Sequence, residues 1–151
     1  MVLSESDKIV TAMWSALGNN DLFTAMNTAI FADRPEYGSH RSNTVYIVRH
    51  SPRIEERIFG NTDLYSCDCV VAYFMAPEHS YDDGTGDIKK GERLLSDVLE
   101  EIQKSVIDIS VPGLNISSHY IEETNQLNAS DTGQSAYLAE VMTKTIYEVE
   151  K

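Results

Sequence analysis

Residues 81–95, YDDGTGDIKKGERLL, set Gly84 and Gly86 among Asp82, Asp83 and Asp87, follow them with Lys89 and Lys90, and run into an apolar helical pattern. Three uses suit such a stretch: a phosphate cradle, a cation loop, or a flexible strand-to-helix joint. A phosphate cradle needs G-x-x-x-x-G-K-[ST], so that backbone N–H groups and a lysine meet the phosphates. Here Gly86 and Gly91 have that spacing, but Asp87 and Glu92 follow them, and three aspartates would repel a polyphosphate. A calcium loop needs side-chain oxygens at alternate positions, glycine at the sixth and a glutamate at the twelfth. Counting from Asp82 puts Gly84 and Gly86 at ligand positions; counting from Asp83 puts Ile88 where glycine belongs. The stretch reads as a hydrophilic joint, with the following helix starting near Asp87 or Gly91.

Catalytic chemistry finds no better footing. No G-x-S-x-G or H-x-x-x-H occurs, and His40, His50, His79 and His119 are scattered without ligand spacing. Cys67 and Cys69 are two residues apart in a strand-like run, which puts both on one face as small core residues rather than a disulfide or a zinc site. The expectation is therefore no catalytic residue, no cofactor and no metal.

Charge is the strongest compositional signal. The formal net charge is −12, and residues 58–151 account for −11 of it. Residues 34–57 instead carry five arginines against three glutamates. So acidic a chain is not expected to seek nucleic acid, which needs clustered Lys and Arg. The Arg-bearing segment and the acidic remainder could form two sides of a head-to-tail contact, and such heterologous contacts close into rings or run on as filaments. Arg41, Arg49, Arg53, Arg57, Asp82, Asp83 and Asp87 are the candidate contact residues. Pairing of the arginines within one chain is the competing reading.

The elements that must carry these groups follow from periodicity. Ile9, Val10, Met13, Trp14 and Leu17 recur at helical spacing from Ser6 to Leu17, closed by Gly18-Asn19. A shorter helix follows Asn20-Asp21, with Leu22, Phe23, Met26 and Ile30 on one side, and RPEYGSHRSN (34–43) reads as a loop. TVYIVRH and RIEERIF read as strands, the second also compatible with a solvated hairpin arm or one helical turn. LYSCDCVVAYFM (64–75) reads as a central strand with Tyr65, Cys67, Cys69, Val71, Tyr73 and Met75 on its buried face. Leu94, Leu95, Val98, Leu99, Ile102, Val106 and Ile107 make one helical stripe. Two long strands over 114–128 and 135–151 close the chain around the turn ASDTGQ. The expected order is α-(α)-β-β-β-α-β-β: a single α+β domain over residues 1–151, with a mostly antiparallel or mixed sheet and amphipathic helices packed on one face. No apolar run reaches membrane-span length, and MVLSESDK lacks signal-peptide grammar, so a reducing cytosol is the expected site of synthesis.

By length and element order the chain resembles the tail terminator (tail-completion) proteins of long-tailed bacteriophages. KIVTAMWSAL, LYSCDCVVAYF, ERLLSDVLEEI and SAYLAEVMTKTIYEVEK carry the resemblance. It implies a non-enzymatic virion protein, a homo-hexameric ring at the head-proximal end of the tail. The implied partners are further copies of itself, the tail tube protein and a head-completion or connector protein. DNA would pass through the lumen without specific binding; six copies of a −12 chain carry −72, which favours sliding over sticking. Another head–tail joining or minor tail protein shares these features. A small acidic inhibitor, an immunity protein or DNA mimic, is the alternative from another class.

Overall fold

The computed structural model describes residues 4–32, 41–50, 52–57, 62–128 and 136–150, with backbone only at 55–57. The α+β architecture has the expected order of long elements, with three short strands added. Helix α1 (Glu5–Gly18) starts where the Ser4 hydroxyl accepts the Asp7 N–H, and Glu5 and Asp7 place negative charge at its positive end. Helix α2 (Asp21–Ala25) is capped by Asn20, whose Oδ1 accepts from the backbone of Leu22 and Phe23. The same amide donates to Glu101 Oε2 at 2.9 Å and Ser105 Oγ at 3.0 Å. One side chain thus caps α2 and ties it to the helix at residues 91–107.

Helical spacing predicts that α2 continues to Ile30. The chain instead stops being helical at Met26, because Asn27 turns to φ 57°. Residues Ala29–Phe31 form β1, parallel to β2 (Thr44–Arg49). Strands β3 (Arg53–Arg57) and β2 both pair antiparallel with β4 (Thr62–Met75), β3 with its first half and β2 with its second. Strand β4 runs in register with β8 (Tyr137–Glu150) over its whole length, and β7 (Asn115–Leu127) pairs beyond β8. The sheet order is β1-β2-β4-β8-β7, which makes β4 the centre and leaves β1 and β7 at the edges. The loop and turn expected over 34–43 and 129–134 lie largely or wholly outside the described residues.

All the helices lie on one face of the sheet. Cys67, Cys69, Val71, Tyr73 and Met75 of β4 are buried beneath Ile9, Met13 and Leu17 of α1 and the stripe of α3 (Gly91–Ile107). Burial of this apolar face, at about 25 cal/mol per Å², is what holds the layers together. Two members of the expected stripes escape it: Trp14 is 48% exposed and Ile107 41%. On β7, His119 faces the helices. Its Nε2–H donates to the Val106 carbonyl at 2.6 Å, an acceptor left open by the end of α3, and Nδ1 sits 2.8 Å from the Thr145 hydroxyl.

The joint of residues 81–95 is more structured than its composition suggests. Ser80–Asp82 (β5) and Ile88–Lys90 (β6) pair as a separate small hairpin, and α3 begins at Gly91, whose φ of 59° suits glycine. Lys90 is the N-cap of α3 and makes no side-chain cap bond. A lysine there also opposes the helix dipole. Lys90→Asp is expected to stabilise the fold by about 1 kcal/mol, seen as a raised midpoint in thermal unfolding; an unchanged or lower midpoint would show that the β6 pairing forbids the cap.

Candidate functional site

The candidate acidic residues sit at the tip of the β5–β6 hairpin. Asp82 Oδ1 accepts from Gly84 N at 2.9 Å, while Asp83 Oδ1 accepts from both the backbone and the hydroxyl of Thr85. Those Thr85 bonds, first the hydroxyl and then the N–H, hold the Asp83 carboxyl below its ordinary range. Asp87 pairs with Arg93 at 2.8 Å, and Lys89 reaches back to Asp97 at 2.7 Å. The hairpin therefore spends its carboxylates on its own turn and on the first turns of α3. Beside it lies an open cleft of about 310 Å³ lined by Tyr81, Asp83, Lys89, Asp97, Glu100 and Glu101 among others. Its carboxylates oppose a phosphate. Among the described residues, no three His, Cys, Asp or Glu side chains converge as a metal requires.

The candidate arginines are spread from one end of the sheet to the other. Arg49, at the end of β2, donates to Ser6 Oγ at 2.7 Å and to Asp7 Oδ1. Arg53 pairs with Asp68 at 3.0 Å. Both are thus engaged inside the chain, as the competing sequence reading required. Arg41 is exposed just before β2, where its backbone N–H meets the Tyr46 hydroxyl. Arg57 lies in β3 opposite Asp63, and its side chain falls outside the described residues.

Chain order and register fix how far apart the two groups are. Arg53 and Arg57 pair with Ser66 and Asp63 near the start of β4. The aspartate hairpin begins beyond the other end of β4, after Met75. Within one chain Arg53 and Arg57 therefore stand apart from the aspartates, while Arg41 lies at the hairpin's end of β4, next to Ser42, whose hydroxyl accepts the Ala76 N–H at 3.0 Å.

The buried thiols do not join either group. Cys67 and Cys69 are free, with Sγ atoms 3.9 Å apart on the helix-covered face. Their mutual contact lowers the Cys67 thiol, aided by nearby Arg49, while the same contact and burial push Cys69 up. They are core residues of the central strand.

The arginine pairings give a prediction. Arg49→Glu would set a carboxylate against Asp7 and is expected to cost about 1–2 kcal/mol in the single chain, a modest figure because solvent screens the half-exposed pair. Arg41→Glu should leave stability within about 0.5 kcal/mol. Urea midpoints measure both, and equal midpoints for the two variants would sink the distinction.

No protein-family model and no curated protein matches the sequence. The fold is similar to a chain in the solved structure of the virion of a native gene transfer agent (GTA) particle. That similarity has a TM-score of 0.59 at 10% sequence identity and covers 93% of this chain and 94% of the other.

Proposed function

We propose that this chain is a non-enzymatic virion structural protein, a ring-forming tail terminator that caps a phage tail tube and meets the head connector. The observation that carries the proposal is the fold likeness to a chain of a gene transfer agent virion, because it spans nearly the whole of both chains. A shared domain inserted in unrelated proteins would leave one partner largely uncovered.

Three features of the molecule support the same reading. Arg57, paired near the start of β4, and Asp82, Asp83 and Asp87, beyond its far end, meet only if one copy's basic side faces another copy's hairpin. That is the geometry of a heterologous contact, which closes into a ring when the rotation closes. The edge strands β1 and β7 offer a neighbour further surface. The net charge of −12 suits a lumen through which DNA moves without binding. The partners of this function are further copies of the chain, the tail tube protein and a head-completion or connector protein.

The test is to add the purified chain to polymerising tube protein from the same phage and measure tube lengths by electron microscopy. Shorter tubes with one capped end are expected. Tubes of unchanged length with bare ends would remove the terminator role, and tight capture of a basic protein by a single copy would favour the inhibitor reading instead.

A further inference from the structure

Helix α1 presents an uncovered face that the core does not use. Thr11, Trp14, Ser15 and Gly18 are exposed and stand at spacings of three and four residues, so they line one side of the helix. Trp14 is the chain's single tryptophan and is 48% exposed. Its indole N–H donates to the Ile30 carbonyl at 3.0 Å. Ala29 N–H points inward, to Asn43 O of the β2 side, so the alternating backbone turns the Ile30 carbonyl outward, along the edge of β1 that no other described strand pairs with. Trp14 therefore covers that edge and blocks a further strand from pairing at Ile30. Any partner here meets side chains, not an open ladder.

The opposite face of the same edge is aromatic as well. Phe31 is 41% exposed and stacks on Tyr46 with ring centroids 5.7 Å apart, and Tyr46 packs edge-on against Phe74, also at 5.7 Å. Arg41 reaches the same Tyr46 through its backbone N–H. An edge strand is thus flanked by an exposed aromatic on each face, Trp14 on one and Phe31 on the other.

The stretch that leads through α1 to this edge is nearly free of charge. From Ile9 to Ala32 the only charged residue is Asp21, where the chain's average of 24% would place about six. Interface centres are marked by that combination of depleted charge and enriched aromatic residues. The charge distribution also selects the occupant. DNA is repelled by the overall charge, and a basic protein gains more from the carboxylate-rich surfaces elsewhere. A second copy, itself at −12, meets least repulsion where carboxylates are sparse, and the stretch from Ile9 to Ala32, with Asp21 alone, supplies such a place.

We propose that the α1–β1 edge, centred on Trp14 and Phe31, is the surface on which a second copy of this chain docks. The surface assigns a contact within the assembly described above, and it rests on that reading only for the number of copies.

The single tryptophan makes the test direct. Trp14 emission and light-scattering mass are followed together against protein concentration, for the natural chain and for Thr11→Glu and Ser15→Glu. Both substitutions fall on exposed helix positions, so circular dichroism should show unchanged folding. The expected result is an emission shift to shorter wavelength in step with rising mass, and at least about tenfold weaker association in each Glu variant. Three results overturn the proposal: oligomers forming with Trp14 emission unchanged, Glu variants associating like the natural chain, or a chain that stays monomeric at every concentration reached. Rings with unchanged emission would overturn the α1–β1 contact alone and leave the ring intact. Dimers with buried Trp14 would keep the contact and remove the ring.

Discussion

Tyr73→Ala is expected to lower stability by about 3–5 kcal/mol, and Tyr73→Phe by about 1 kcal/mol. Tyr73 is fully buried on the central strand, beneath the helix layer. Truncation to alanine removes a ring that the rigid sheet and two packed helices cannot collapse to replace, so a cavity term adds to the lost transfer energy. Phenylalanine keeps the ring and loses one hydrogen bond, from the Tyr73 hydroxyl to Asn43 Oδ1 at 3.0 Å. Burial also pushes the phenol's pKa upward, so the hydroxyl stays a donor throughout the ordinary pH range. Urea unfolding measures both, and the slopes should match those of the natural chain. A loss below about 1 kcal/mol for the alanine variant would mean that the core relaxes around the site.

Asn43→Ala should be damaging for a different reason, at about 3 kcal/mol. Asn43 holds φ at 55°, a conformation that asparagine tolerates and alanine does not. Its Oδ1 accepts from Thr28 Oγ1 at 2.8 Å as well as from Tyr73, and its Nδ2 donates to the Met26 carbonyl at 2.8 Å. One side chain thus joins the turn after α2, the start of β2 and the end of β4. Asn43→Gly loses the same bonds but relieves the backbone, so it should be about 1 kcal/mol less damaging than alanine. Equal losses for the two variants would show that backbone strain plays no part. Because Tyr73 and Asn43 share a bond, Tyr73→Phe and Asn43→Gly should together cost less than their sum.

These two residues differ in how openly the sequence displays them. Tyr73 stands in an alternating run whose period places Cys67, Cys69, Val71, Tyr73 and Met75 on one face, and that face is the buried one. The α3 stripe was legible on the same grounds, because seventeen residues give periodicity time to declare itself. In the sequence Asn43 is only the last residue of a loop. Its importance comes from groups 15 to 30 residues away in sequence, which no local pattern encodes.

Short elements were hidden for a related reason. Leu22, Phe23, Met26 and Ile30 have helical spacing, yet the positive φ at Asn27 ends the helix and sends Ile30 into a three-residue parallel strand. Three residues cannot establish a period of two, so β1, β5 and β6 left no mark. Trp14 fits the helical spacing of the α1 core but stands at the rim of its stripe, and geometry beyond the helix decides that it reaches Ile30 instead. The signal that marks its surface, a run of residues almost without charge, was present in the sequence and is visible only against the acidity of the rest. The arginine candidates show the converse limit. Five arginines in one segment read as a surface, while the partner that engages Arg49, Asp7, lies 42 residues earlier on another element.

The central claim is that copies of this chain assemble into a closed ring, and mass with shape tests it most directly. Light scattering and negative-stain microscopy on the same purified sample should give a particle of about 101 kDa, six copies of a 16.9 kDa chain, seen as a ring with an open centre. A uniform population of 16.9 kDa monomers, with no rings in the absence or presence of tail tube, would contradict the account.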